Sequence, residues 1–391
     1  MVWPIRTLEY ICTSIFAGGD VPKGNYSKFK TDKYFIPIFS NGEKNKGLYG
    51  FTDKARVVQP SMTVSARGTI GYSEVRYEPF FPVVRLIVLT PNPDFVELNY
   101  LKYILRGMDF VNSGSSIPQL TVPMIKDYQC ALPPIHEQKR IVTILDQAFA
   151  DIEKARANAE QNLKNARELF ESYLQQVFSQ RGEGWVESEL FDHVKFIDYR
   201  GKTPKKTESG LRLITAKNVR MGYLRKAPEE YVAPESYDAW MTRGIPQKGD
   251  VLFTSEAPLA NVAQLDTDEK VVFAQRLITM QPDRSILNED FLKYLLMSPP
   301  IQKRILEKGT GATVTGIKAS LLKKIPIEYP SSLKEQRKHV ANLNRLDSYV
   351  KQLENVYFNK LKALDELKKS ILQKAFSGEL TKNKTSEENA A

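Results

Sequence analysis

A chain of 391 residues with 42% hydrophobic and 26% charged residues has the composition of a folded globular protein and the length of two or three domains. That excludes collagen-like, mucin-like and wholly disordered chains, and no run of eighteen apolar residues offers a membrane span. The formal net charge of +10, with +4 in residues 1–136 and +4 in 181–334, suits a polyanion such as DNA, though mild basicity alone fits a protein that binds no nucleic acid equally well.

In chain order, Met1 to Arg6 lacks a signal-peptide pattern, and two cysteines, Cys12 and Cys130, make no disulfide framework; a reducing, cytoplasmic setting is expected. Tyr34 to Phe39 reads as a strand ending in the turn Ser40-Asn41-Gly42, and Gln59 to Ser65 as a turn and strand leading into the polar loop Ala66-Arg67-Gly68-Thr69. Asn99 to Arg106 reads as a short helix and Asn112 to Gln119 as a loop. From Ile141 an apolar seam runs through Leu145, Ala148, Ile152, Ala155, Ala159, Leu163, Ala166, Phe170, Tyr173 and Val177. Its steps of three and four predict a long helix with a near-heptad stripe and one stutter at Ala155–Ala159–Leu163. Pro133-Pro134 precedes it and Gly182 stands where it should stop.

The second half repeats the first. Leu8 and Leu190, Gly19 and Gly201, Pro22 and Pro204, and Lys23 and Lys205 are each 182 positions apart; Leu101-Lys102-Tyr103 and Leu292-Lys293-Tyr294 are 191 apart. Glu137-Gln138 and Glu335-Gln336 are 198 apart, and that offset then holds without a gap to Phe178 and Phe376. The growing offset places insertions in the globular parts and none in the helices. The second copy offers strands at Leu211 to Thr215 and Gln247 to Thr254, polar loops at Ala216 to Asn218 and Ser255 to Asn261, a short helix at Glu289 to Met297 and a loop at Gly309 to Gly316.

The expected fold class is α+β: two tandem globular copies, residues 1–136 and 181–334, each with a small mixed sheet and each followed by a long helix, 137–180 and 335–378, with a polar, disordered tail at 379–391. Forty-odd helical residues span roughly 60 Å, and a lone helix with one apolar seam needs a partner. The two helices therefore pair through Leu145, Ile152, Leu163 and Leu174 with Leu343, Val350, Leu361 and Leu372. Antiparallel pairing, with a pseudo-two-fold axis and a domain at either end, is preferred; parallel pairing would put both domains at one end.

Loops that mix Lys and Arg with amides and hydroxyls are the expected reading surface, because cations hold phosphates while amides and hydroxyls reach base edges. In copy one these are Lys23, Asn25, Lys28, Lys44, Lys46, Arg67, Ser115 and Gln119. In copy two they are Lys202, Lys205, Lys206, Lys217, Asn218, Arg220, Asn261, Gln275, Arg276 and Thr313. Taken singly, each is also what any solvated loop carries. Catalytic signatures are missing. His136, His193 and His339 do not cluster with cysteine at zinc-ligand spacing, and the Gly311 to Lys318 stretch fails as a P-loop because Ile317 separates Gly316 from Lys318. Phe16 to Asp20 is no dinucleotide fingerprint, and no Gly-x-Ser-x-Gly elbow occurs.

Two similar helix openings, Glu137-Gln138-Lys139-Arg140 and Glu335-Gln336-Arg337-Lys338, two helix ends, Phe178-Ser179 and Phe376-Ser377, and the domain opening Gly201-Lys202-Thr203-Pro204, with its weaker counterpart Gly19-Asp20-Val21-Pro22, carry a resemblance. Over about residues 5 to 380 the chain resembles the specificity subunit of type I restriction-modification systems. The resemblance implies two target-recognition domains reading the halves of a bipartite site on double-stranded DNA, with the helices setting the unread gap. It also implies that the chain is not itself an enzyme. Two modification (methyltransferase) subunits would bring AdoMet, and restriction subunits ATP and magnesium. Two alternatives stay open, a coiled-coil scaffold that binds protein and the recognition subunit of another bipartite-site methyltransferase, as does an enzyme with an unrecognised site.

Overall fold

The sequence repeats are repeats of topology. A computed structural model describes residues 3–110, 119–180, 182–199, 203–274, 276–311 and 315–382. In copy one an antiparallel sheet runs in the order Cys12–Ala17, Ile87–Pro91, Ser61–Val64, Ser73–Arg76. Copy two repeats it as Val194–Asp198, Leu277–Pro282, Val251–Thr254, Val262–Gln264. The inner strands Ser61–Val64 and Val251–Thr254 are buried at every position, which suits their short, largely apolar and β-branched make-up.

A second, mixed sheet also repeats: Tyr26–Ser27, Leu48–Thr52, Ile36–Phe39, Phe81–Pro82 in copy one, and Lys206–Thr207, Tyr231–Val232, Leu211–Ile214, Val271–Phe273 in copy two. In each, only the last pairing is parallel. A closing antiparallel pair precedes each long helix, Ile5–Thr7 with Gln129–Ala131 and Trp185–Glu189 with Pro326–Pro330. The short helices are Leu98–Gly107 and Glu289–Met297. Each has a side-chain N-cap, Glu97 accepting from the Tyr100 amide and Asn288 from that of Phe291.

The long helices, Ile135–Ser179 and Leu333–Ser377, are 45 residues each. The chain's two compact units do not follow chain order: one comprises residues 1–160 and 359–391, the other 161–358. The core of the first gathers Leu8, Met62, Leu89 and Tyr100 with Leu145, Phe149 and Ile152 from the start of the first long helix and Leu372 and Ala375 from the end of the second. The core of the second gathers Phe253, Ile278, Phe291 and Leu295 with Val340 and Leu343 from the start of the second long helix and Leu174 and Phe178 from the end of the first. This explains the twin Phe-Ser endings. Phe376 meets Tyr100 edge-on at 5.9 Å, and Phe178 meets Phe291 edge-on at 5.3 Å.

Within each unit the helix segments pair antiparallel. In the first, Arg156 pairs with Asp365 while Glu153 pairs with Lys368, so one number rises by three as the other falls by three. In the second, Arg167 pairs with Glu354 at 2.6 Å. Of the expected seam, Leu145, Ile152, Leu174, Leu343, Val350 and Leu372 are buried, whereas Leu163 and Leu361 are half-buried. The expected stutter is absent. Phe149 rather than Ala148 is the buried residue, and positions 145, 149, 152, 156, 159, 163, 166 and 170 alternate steps of four and three, with the half-buried Arg156 stem at one of them. Nor does the chain leave the fold at 379, since Leu380 packs on the first unit's core and Thr381 is buried. Residues 383–391 lie outside the described residues.

Candidate nucleic-acid interface

In copy one, Arg67 donates from Nη2 and Nε to Gln119 Oε1 at 2.7 and 3.2 Å, and Arg85 reaches the same oxygen at 3.5 Å. Asn41 ties the neighbouring loops together: its Oδ1 accepts from the Ala66 amide at 2.7 Å and its Nδ2 donates to the Val84 carbonyl at 2.5 Å. The lysine turn 44–47 hangs from this frame. Asn45 and Lys46 are both left-handed, at φ 50° and 54°. Gly47 follows at φ 76°, where a Cβ would stand 2.5 Å from the Ser40 carbonyl oxygen.

That turn is held by a buried arginine. Arg76 donates from Nη2 to the Lys46 carbonyl at 2.6 Å and from Nε to Thr63 Oγ1 at 3.1 Å, beneath the Phe39 ring. Desolvation pulls its pKa down to about 10, against the opposing charge of Glu74, so it stays cationic at neutral pH. Lys44 and Lys46 are thereby presented to solvent, with Lys46 Nζ 3.2 Å from Glu74. Lys23, Asn25 and Lys28 are exposed on the edge of the mixed sheet. Ser115 lies outside the described residues.

In copy two, one carboxylate gathers two of the expected lysines. Glu230 accepts from Lys206 Nζ at 2.7 Å and stands 3.8 Å from Lys217 Nζ. With Thr203, Thr215 and Arg276 these groups line a pocket of about 280 Å³. Arg276, left-handed at φ 68°, pairs with Glu256 at 3.0 Å. The Arg276–Glu256 pair is exposed on both sides and contributes about 0–1 kcal/mol, whereas Glu230 is half-buried between its lysines. Lys205 is exposed, and Arg220 is half-buried and donates to the carbonyl of its neighbour Val219. Lys202, Gln275 and Thr313 lie outside the described residues.

Two expected readers are structural instead. Asn218 is 1% exposed. Its Oδ1 accepts from the Thr215 amide and hydroxyl, and its Nδ2 faces the carbonyls of Arg225, Lys226 and Pro228 at 3.0–3.3 Å. An amide saturated in this way has nothing left for a base edge. It fastens the hairpin Val219–Arg220/Tyr223–Leu224, an addition of copy two. Half-buried Asn261 likewise spends its Nδ2 on the Val219 carbonyl at 3.1 Å.

The residues whose role the sequence hid are the glutamines of the two Glu-Gln openings. Gln138 and Gln336 are both 0% exposed. Gln138 Nε2 donates to the Phe95 and Pro133 carbonyls at 2.8 Å, and its Oε1 accepts from the Glu97 amide at 2.8 Å. Gln336 repeats this with the Ile286 and Pro330 carbonyls at 2.9 and 2.8 Å and the Asn288 amide at 2.8 Å. Each side chain thus joins the first turn of a long helix to the segment just before it and to the N-cap of the short helix. A tyrosine adds a second tie: Tyr103 bonds Asp146, and Tyr294 bonds Asn344 at 2.6 Å. Burial and the Asp146 carboxylate push the Tyr103 phenol well above its usual range.

Fold and loops together define a protein of two tandem domains, each fastened to a long helix at one end and carrying a basic loop surface. The family model described as the type I restriction modification DNA specificity domain matches residues 2–161 and 183–363, and the chain belongs to that family, with two copies of its domain. The chain is 23% identical over 420 residues to the EcoKI specificity subunit of Escherichia coli K12, covering 97% of this chain and 89% of that protein. It is 30% identical over 182 residues to a chain named as a type I specificity subunit in Mycoplasma pneumoniae. That match spans about half of each chain, 46% of this one and 48% of the other. Among solved structures, a chain in one described by the complex assembly of a type I R-M system has a TM-score of 0.76 at 19% identity, covering 97% of this chain and 98% of that one. The HsdS subunit of Thermoanaerobacter tengcongensis has a TM-score of 0.57 at 20% identity, covering 97% of each. Among the described residues, no three His, Cys, Asp or Glu side chains converge as metal ligands, and no helix is long and apolar enough to cross a membrane.

Proposed function

We propose that this chain reads a bipartite site on double-stranded DNA, one domain per half-site, with the long helices setting the length of the unread gap. The observation that carries this is the doubling: two domains of one topology, each locked to a long helix by the same buried glutamine and each with its own loop surface. Phosphates are held by Lys23, Lys28, Lys44 and Lys46 in copy one and by Lys205, Lys206, Lys217 and Arg276 in copy two, with sequence read by base-edge contacts from the same loops.

The chain itself carries out no chemistry in this reading. It assembles with two modification subunits, which use AdoMet to methylate the site, and with restriction subunits, which use ATP and magnesium. Expression with its modification partner in a methylation-free host, followed by genome-wide mapping of adenine methylation, tests it. The expected result is one motif of two parts with a gap of fixed length. A single contiguous motif would contradict the reading, as would an associated, soluble complex whose DNA binding shows no dependence on salt.

A further inference from the structure

Copy one carries aromatic residues on a connection whose counterpart in copy two has none. Eight residues, 28–35, join the strands Tyr26–Ser27 and Ile36–Phe39, whereas three, 208–210, join their counterparts Lys206–Thr207 and Leu211–Ile214. The longer connection carries Phe29, 78% exposed, and Phe35, 51% exposed. Beside it Tyr26 and Tyr49, 38% and 43% exposed, lie 6.0 Å apart. Tyr26 is paired with Thr52 and Ser27 with Phe51, which sets this edge strand against the strand that carries Tyr49. Gly50 allows the approach, since a Cβ there would meet the Ser27 carbonyl oxygen at 2.6 Å. The corresponding stretch of copy two, Thr203 to Leu211, has no aromatic residue.

Large exposed rings on a loop need a reason, and their neighbours supply one. Between Lys23 and Phe35 stand four lysines, at 23, 28, 30 and 33, against a single acid, Asp32, and all four are exposed. The core of a protein-docking patch is depleted in lysine, whereas aromatics set among cations are how proteins meet nucleic acid bases beside phosphates.

We propose that Phe29, on the connection that follows Tyr26, is an apolar base contact of the first domain, its ring lying against the bases of that domain's half-site while Lys28, Lys30 and Lys33 hold the flanking phosphates. This rests on the reading of the chain as a DNA-recognition subunit and adds to it a specificity contact that the matching connection of the second domain does not offer. Phenylalanine offers no hydrogen bond, so the contact selects by shape and stacking, or by a thymine methyl, rather than by a donor–acceptor code.

The test uses the complex with the modification partner on a duplex carrying the methylated motif, with affinity measured by fluorescence anisotropy over a range of salt. Phe29→Ala is expected to weaken binding about tenfold with the salt slope unchanged, because no phosphate contact is lost. Phe29→Tyr restores affinity, and the double variant Lys28→Ala/Lys30→Ala lowers the salt slope by about two. Wild-type affinity for Phe29→Ala would overturn the proposal. So would weaker assembly of that variant with the modification partner at unchanged DNA affinity of the assembled complex, which would make the patch a protein-docking surface. Absence of salt-dependent binding by the wild-type complex is a separate result, and it would bring down the underlying reading.

Discussion

The two domains are alike where they meet the helices and unlike where they meet solvent. On the helix side Gln138 and Gln336 make the same three hydrogen bonds, and Tyr103 and Tyr294 reach the same position on their helices. On the loop side copy one has an aromatic connection and an arginine-supported lysine turn, whereas copy two has a glutamate-centred lysine pair and an added hairpin. In the function proposed above, a subunit that places two domains alike yet reads two different half-sites calls for this division. The glutamine contacts are buried and saturated; the loops change length without disturbing them.

Mutations should separate the two sides. The largest effect is expected from Leu145→Ala or Leu343→Ala, each 0% exposed, at about 3 kcal/mol of stability by urea denaturation; half-buried Leu163→Ala should lose less than about 1 kcal/mol. Next come Gln138→Leu and Gln336→Leu. Each strands two carbonyls and one amide in a dry site, at about 3 kcal/mol, and equal losses in the two would show that the ties are equivalent. Asn218→Ala should cost the second domain about 2 kcal/mol in thermal unfolding, whereas Lys217→Ala next to it should leave stability unchanged and lower the salt slope of DNA binding by about one.

The smallest effect concerns pH. His339 packs on Trp185 and Phe291, and desolvation lowers its pKa, whereas the matching position in copy one is the buried Ile141. Between the depressed folded value and the ordinary one near 6.5, the unfolded chain binds more protons. Stability of the second unit should therefore fall as pH drops from 7.5 to 5.5, and His339→Ile should abolish that fall.

The helices and the repeat were legible in the sequence because an unbroken offset of 198 leaves no other account of residues 137–180 and 335–378. The short helices and inner strands were legible from periodicity and length. What misled was burial of polar groups. Gln138 appears in the sequence only as part of a repeated helix opening, yet its amide is fully buried and ties the domain to the helix. Asn218 sits in a polar turn and reads as a base contact, yet five backbone and hydroxyl atoms of four residues, all within ten positions of it, consume the amide. Lys206 and Lys217, eleven positions apart, meet only because Glu230 comes in from a third segment, and spacing carries no trace of that. The seam runs through Phe149 rather than Ala148 because the larger ring packs into the first unit's core, edge-on to Tyr103 at 5.3 Å.

The central claim is that each domain reads its own half-site, and methylation mapping of loop variants tests it most directly. Lys44→Ala/Lys46→Ala and, separately, Lys206→Ala/Lys217→Ala would be expressed with the modification partner and their methylated motifs compared with the wild type. The account predicts that each variant relaxes or weakens a different half of the motif and leaves the gap length unchanged. Loss of the same half in both variants, or a change in gap length from either, would contradict it.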